Sequence, residues 1–214
     1  MAWACVAAAS AAPLVAVAPS EAPAISLNAQ LLAAARENQP AQVKRLLAQG
    51  AVADSRNRLG KTALLLACEK GNADMAQALL EAGADVNLPS VERVTPLMAA
   101  SYSGNALLVA RLLAAGARAG PLDRMDKSAA VYAAGQGHAA VLDALLASGV
   151  DIDAPNAQGL TLLMWAAGQG HADAVRLLLA RGARTDLRDD RGLTALDIAR
   201  QTGHGDAVQA AGLR

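Results

Sequence analysis

The chain contains no phenylalanine and only two tryptophans and two tyrosines, so the aromatic platforms on which nucleotide bases stack are lacking. Charge of one sign is also without excess, since Lys plus Arg and Asp plus Glu each number 19. A zero net charge leaves no electrostatic footprint for DNA or RNA, and nucleic acid is set aside as a partner. Of two cysteines, Cys5 lies in an N-terminal apolar run; a chain processed after that run keeps Cys68 alone and can form no intramolecular disulfide. Cys68 stands where equivalent positions hold Ser101, Ala134 and Ala167, the setting of a small packing residue. Long hydrophobic stretches are limited to Trp3–Val17, too short and too weakly apolar for a persuasive membrane span. No strand precedes a Gly-rich loop that could cradle phosphate, and no His neighbours Cys68 to act as its base. Neither an enzymatic activity nor a cofactor is expected.

What the chain has is a period. Gly50, Gly83, Gly116, Gly149 and Gly182 are each 33 positions apart, and Thr62, Thr95, Ser128, Thr161 and Thr194 keep the same step. Gly71, Gly104, Gly137, Gly170 and Gly203 run in phase, as do Ala67, Ala100, Ala133, Ala166 and Ala199. A fixed period of this size means stacked supersecondary units. In the unit Asn57–Pro89, Thr62 caps a first helix that Gly71 stops, and Asn72 opens a second in which Met75, Leu79 and Leu80 share one face. Gly83 ends that helix as a left-handed cap. Two short helices cannot bury a narrow apolar face alone, so stacking supplies the core. Leu pairs recur in the second helices (Leu46-Leu47, Leu79-Leu80, Leu112-Leu113, Leu145-Leu146, Leu178-Leu179), while small residues dominate the first helices. The stack should therefore curve toward the first helices and present a concave face there.

These residues resemble the ankyrin repeat. Lys61-Thr62-Ala63-Leu64 through Gly71, then Leu79 to Asn87, follow its pattern, and Val94-Thr95-Pro96-Leu97-Met98-Ala99-Ala100 is close to its Thr-Pro-Leu-His-x-Ala signature. The resemblance covers about residues 24 to 214, of a small bacterial type. It implies an all-α repeat solenoid of six helix-turn-helix units of 33 residues, with short turn or hairpin-like tips and no sheet core. It also implies a protein partner, bound without catalysis. The signature His is replaced by Leu65, Met98, Val131, Met164 and Asp197, so apolar packing is expected in its place. The fourth unit, with Ser128-Ala129-Ala130, matches least and is expected to pack most loosely.

Units are expected at about 25–56, 57–89, 90–122, 123–155, 156–188 and 189–214, as a single domain over 25–214. The first and last read as caps. Residues 1–24 fall outside the period and carry no charge until Glu21; small-x-small sites at Ala16-Val17-Ala18 and Ala22-Pro23-Ala24 follow the apolar run. The segment reads as a signal peptide, which implies a periplasmic or secreted protein, although no Lys or Arg precedes the run; a disordered Ala/Pro tail on a cytoplasmic protein is the alternative. A monomer is expected.

His138, His171 and His204 also lie 33 apart. Neighbouring units are offset by about 10 Å, whereas the ligands of one zinc lie about 2 Å from it, so the three cannot share a metal. They follow Gly where other units have Asn72 and Asn105, and turn or capping roles are expected. Tyr132 and Trp165 replace Leu66 and Ile198 and read as core. Tyr102 instead matches Glu69, Gly135, Gly168 and Gln201, and is expected to face solvent in the groove. With it the candidate partner-binding residues are Arg58, Lys61, Glu69, Arg93, Arg124, Met125, Lys127, Gln136 and Gln169, on the turn tips and concave face. Two roles remain open: a general interaction module, or a dedicated accessory, protective or inhibitory factor for one enzyme of the same compartment.

Overall fold

In the computed structural model, residues 26–156 and 158–214 are described. The leader or tail expected over residues 1–24 lies outside them. Among the described residues there are twelve α-helices, taken in pairs along the chain. They are α1 (Leu27–Arg36) with α2 (Pro40–Ala48), α3 (Ala63–Glu69) with α4 (Ala73–Glu81), and α5 (Pro96–Ser103) with α6 (Ala106–Ala114). The second half holds α7 (Ala129–Gln136) with α8 (Ala139–Ala147), α9 (Leu162–Gly168) with α10 (Ala172–Ala180), and α11 (Ala195–Gln201) with α12 (Gly205–Ala210). Extended pairing among these residues is limited to an isolated bridge between Arg56 and Thr62. The all-helical solenoid expected from the period is the observed fold.

The hydroxyl ladder starts the odd-numbered helices. Thr62, Thr95, Ser128, Thr161 and Thr194 accept hydrogen bonds from the amides three residues on, at 3.2 to 3.4 Å. Where the signature His was expected to give way to apolar packing, Leu65, Met98, Val131 and Met164 are indeed buried. Two of them do more, because the Met98 and Met164 sulfurs accept from the Thr95 and Thr161 amides and close a capping box. Asp197 is half-exposed and caps Thr194 through its carboxylate.

The even-numbered helices end in left-handed glycine. At Gly83, with φ of 84°, the Gly83 amide bonds the Leu80 carbonyl and the Ala84 amide bonds that of Leu79, the paired closure of a Schellman motif. The first leucine of each pair, Leu46, Leu79, Leu112, Leu145 and Leu178, is buried between units, while the second is half-buried. The alanine ladder of the odd helices is fully buried. Its short side chains let odd helices approach one another more closely than even ones, the asymmetry from which a solenoid takes its curvature. The fourth unit departs from expectation here: Ala129, Ala130, Val131, Ala133 and Ala134 are all buried and α7 packs on α5 and α9 as its equivalents do. At the far end Leu213, fully buried, covers the core where the leucine pair is missing.

Each unit is also stapled to the one before it. Asn105 Nδ2 donates to the Gly71 carbonyl at 2.8 Å, while its Oδ1 caps Leu108. The histidines differ from the expected cap: they occupy the N-cap position of the backbone, but no side chain caps its own helix. Instead His138 Nε2 lies 3.0 Å from the Tyr102 carbonyl, His171 Nε2 3.0 Å from that of Gly135, and His204 Nδ1 3.1 Å from that of Gly168. The imidazole is too long to fold back on its own first turn and reaches the preceding unit. Among the described residues no group of three or more His, Cys, Asp or Glu is placed to hold a metal ion.

Candidate functional site

The turn tips are built by a polar residue that sequence reading passed over. Asn57, Ser90, Asp123, Asn156 and Asp189 are 33 apart. Asn57 Oδ1 accepts from the amides of Leu59 and Lys61, Asp123 Oδ1 from those of Met125 and Lys127, and Asp189 Oδ1 from those of Arg191 and Leu193. Such turns fold from their own side chain. Neighbouring tips are then joined through the backbone, Val91 N–H to the Leu59 carbonyl at 2.9 Å and Arg124 N–H to that of Glu92 at 3.2 Å. The result is a continuous, preorganised edge.

That edge is unequal along its length. Leu59, Val91 and Met125 are 61%, 50% and 63% exposed on the tips of the second to fourth units. The position that holds Leu59 and Met125 holds Glu92, Gln158 and Arg191 in the third, fifth and sixth units, and Val91 is the residue before Glu92. The backbone differs as well. The tip position held by Gly60, Gly159 and Gly192, all at positive φ, is Arg93 at 62° and Asp126 at 57° in the third and fourth units. A left-handed non-glycine residue costs about 1 kcal/mol or more, so these two tips retain side chains that the turn itself disfavours.

Behind the tips lies an aromatic cluster. Tyr102, 56% exposed on α5, meets Tyr132 of α7 edge to face, with ring centroids 6.0 Å apart. Lys127 Nζ stands 5.8 Å from the Tyr132 centroid and 5.1 Å from that of Trp165 on α9. Tyr102 is thus exposed as expected. Tyr132 and Trp165 were expected in the core; they are half-buried, with one side against the core and the other in this cluster. The Tyr132 hydroxyl donates to Asp123 Oδ2, and burial followed by that bond pushes its ionisation well above the ordinary tyrosine range. A cleft of about 320 Å³ opens between Glu69, Val94, Met98, Ala99, Tyr102 and Tyr132.

The remaining candidates divide. Lys61 and Glu69 are occupied with each other at 2.6 Å, and Arg124 faces Glu92 at 3.7 Å. Exposed pairs of this kind contribute little to stability and leave the charges at the surface. Arg58 and Arg93 are exposed, and among the described residues neither forms an ion pair. Gln136 and Gln169 are exposed at the ends of α7 and α9, apart from the aromatic cluster. Sequence reading missed Leu59, Val91 and Asp126; Asp126 and the candidate Arg93 stand as breaks in the ladder Gly60, Gly159 and Gly192, a signal that Leu59 and Val91 do not share. Cys68 is fully buried, and burial followed by the Glu69 charge raises its thiol far out of the reactive range.

Comparison with known proteins agrees with this geometry. The profile of the family described as "Ankyrin repeats (3 copies)" matches residues 31–123 and 130–210. The structure is similar to that of EF0377, an ankyrin repeat protein, with a TM-score of 0.76 and 30% identity over 86% of this chain and 96% of that one. The human ASB11 ankyrin repeat domain is similar with a TM-score of 0.72 and 30% identity over 85% of this chain and 96% of that one. Mitochondrial disaggregase of Bos taurus is 46% identical over 57 residues, which are 27% of this chain and 8% of that protein. The chain therefore matches less than a tenth of that relative's length.

Proposed function

The chain belongs to the ankyrin repeat family, whose members are generally protein-protein interaction modules, and from that premise we propose that it binds one partner protein, without catalysis, on the tips and odd-helix face of the second to fourth units. The single observation that carries this reading is the row Leu59, Val91 and Met125, exposed on tips that are hydrogen-bonded to one another. Contiguous exposed apolar surface marks interaction sites. Tyr102 supplies an aromatic anchor behind that row, and Arg58, Arg93 and Arg124 supply orientation toward an acidic surface.

The reading extends to a dedicated role, as an accessory, protective or inhibitory factor for one enzyme of the same compartment. The specialisation of a few tips, where the others stay polar, supports one specific partner over many. The apolar run Trp3–Val17 with its small-x-small sites supports export and a protein acting outside the cytoplasm. The experiment is site-specific photocrosslinking: a photoreactive residue at Met125 should give one stoichiometric adduct from the cell envelope fraction. The same residue at Gln77 on α4 should give none. Equal yields from both sites would reject the assignment.

A further inference from the structure

Lys61 and Lys127 occupy the same place in the second and fourth units, where the third, fifth and sixth carry Val94, Leu160 and Leu193 packed against the core. Lys61 is matched within the chain: eight residues on, Glu69 takes its ammonium at 2.6 Å. Eight residues on from Lys127 stands Gly135, which has no side chain to offer. Lys127 is half-buried, its ammonium 5.8 Å and 5.1 Å from the ring centroids of Tyr132 and Trp165, and among the described residues it forms no ion pair. The Asp123 carboxylate of its own turn is taken by the amides of Met125 and Lys127 and by the Tyr132 hydroxyl.

Nothing in α7 demands glycine at 135. Its φ is outside the left-handed region, and an added Cβ would meet Trp165 at 3.7 Å, an ordinary contact. Glycine weakens a helix interior. It leaves an opening at the place where, two units earlier, a carboxylate meets the lysine. Beside that opening lies the cleft of about 320 Å³ between Glu69, Val94, Met98, Ala99, Tyr102 and Tyr132. Tyr132 belongs to both features, since it lines the cleft and carries Lys127 on its ring. The volume is at the lower end of the roughly 300–1,000 Å³ of small-ligand sites, and the mainly apolar walls suit a side chain. A cationic one is disfavoured, because Glu69 already holds Lys61 and the Tyr132 ring already faces Lys127.

We propose that the partner presents one segment to both features: an apolar side chain in the cleft and, one unit on, an aspartate or glutamate carboxylate on Lys127, in the role that Glu69 has for Lys61. This rests on the tips and odd-helix face being the binding surface. Neighbouring units are offset by about 10 Å, roughly three residues of extended chain at about 3.3 Å each, so the segment reads apolar-x-x-acidic in one direction or the other. Arg93, exposed on the third tip and without an ion pair among the described residues, adds to the positive charge that such a segment meets.

The full chain, labelled with ¹⁵N, is titrated with the capped peptide acetyl-Glu-Ala-Ala-Leu-Ala-Ala-Glu-amide, which offers the spacing in both directions. The amide resonances of Tyr102, Lys127 and Gly135 are expected to shift saturably. Gly135→Glu, which supplies Lys127 with a carboxylate of its own, should weaken the titration about tenfold or more. Gly135→Ala, whose methyl group the structure accommodates, should bind as the parent does. Lys127→Arg should retain binding and Lys127→Met should lose it, in a position where other units carry Val94 and Leu160. Four results would overturn the proposal: no shift at millimolar peptide, an unchanged titration in Gly135→Glu, equal binding when lysine replaces both peptide glutamates, or equal binding when alanine replaces the leucine. Shifts of the same resonances on changing protein concentration alone would assign the surface to a second copy of this chain and also reject it. The two claims fail separately: a Met125 adduct without the titration rejects this segment alone, and the titration without an adduct rejects the Met125 tip alone.

Discussion

The imidazole of His138 lies over the α-carbon of Gly104, so that a Cβ on that glycine would stand 2.5 Å from the ring. The ring reaches back from one unit to the Tyr102 carbonyl of the preceding one, and the absence of a side chain at 104 is what admits it. Gly137 with His171 and Gly170 with His204 repeat the arrangement. Gly104→Ala is expected to lose stability by about 1–3 kcal/mol, from its left-handed φ and the displaced ring together. His138→Ala should cost about 1 kcal/mol for the lost inter-unit bond. The double variant should cost less than the sum, because the clash disappears with the ring. Urea unfolding of the four proteins checks this, and strict additivity would contradict it.

Leu145 sits fully buried between units. Leu145→Ala is expected to cost about 2–5 kcal/mol in chemical unfolding, and hydrogen exchange should accelerate in the neighbouring units as well as in α8, since each unit holds up the next. A loss confined to α8 would mean that the units fold independently.

Arg93 and Asp126 hold left-handed backbone where other tips carry glycine. Arg93→Gly and Asp126→Gly are therefore expected to leave stability unchanged or raise it by up to about 1 kcal/mol, the relief of strain being partly offset by the freedom of glycine in the unfolded chain. A marked loss of stability in thermal melts would show that these side chains serve the fold.

Asp189 is buried at its tip. Burial alone would raise its carboxyl, but the amides of Leu193 and Arg191 and the Arg191 guanidinium hold it below the ordinary aspartate range. A carboxyl depressed in the folded state contributes stability that is present above its unfolded value, near 3.9, and is lost as pH falls through the lower folded one. Asp189→Asn should thus flatten part of the stability decline below about pH 4. Parallel melts at pH 3 and pH 6 test it.

Much of this was legible in the sequence. Thr62, Gly83 and Leu79 act within one unit, through local caps and helical spacing, and a repeated position reports such a role five times over. His138 and Gly104 were not legible as a pair because their contact crosses from one unit to the next, and the reach of a side chain between units is not encoded in spacing alone. Tyr132 and Trp165 were read as core by analogy with Leu66 and Ile198; their larger rings cannot be wholly covered by neighbours made of alanine, and they surface beside Lys127. Tyr102 was legible as exposed because its equivalents are Glu69, Gly135, Gly168 and Gln201.

The most direct measurement is the affinity of the crosslinked partner, once isolated, for the parent chain and for the variant Leu59→Ser, Tyr102→Ala, Met125→Ser by titration calorimetry. Removal of an aromatic anchor and two exposed apolar contacts should weaken binding by at least about 2 kcal/mol, or some thirtyfold, while the urea midpoint stays within experimental error of the parent. Arg124→Glu with Lys127→Glu should in addition slow association and reduce its salt dependence. Full affinity in the triple variant, with its fold intact, would contradict the assignment of the tip surface and move the contact to the even helices or the terminal units.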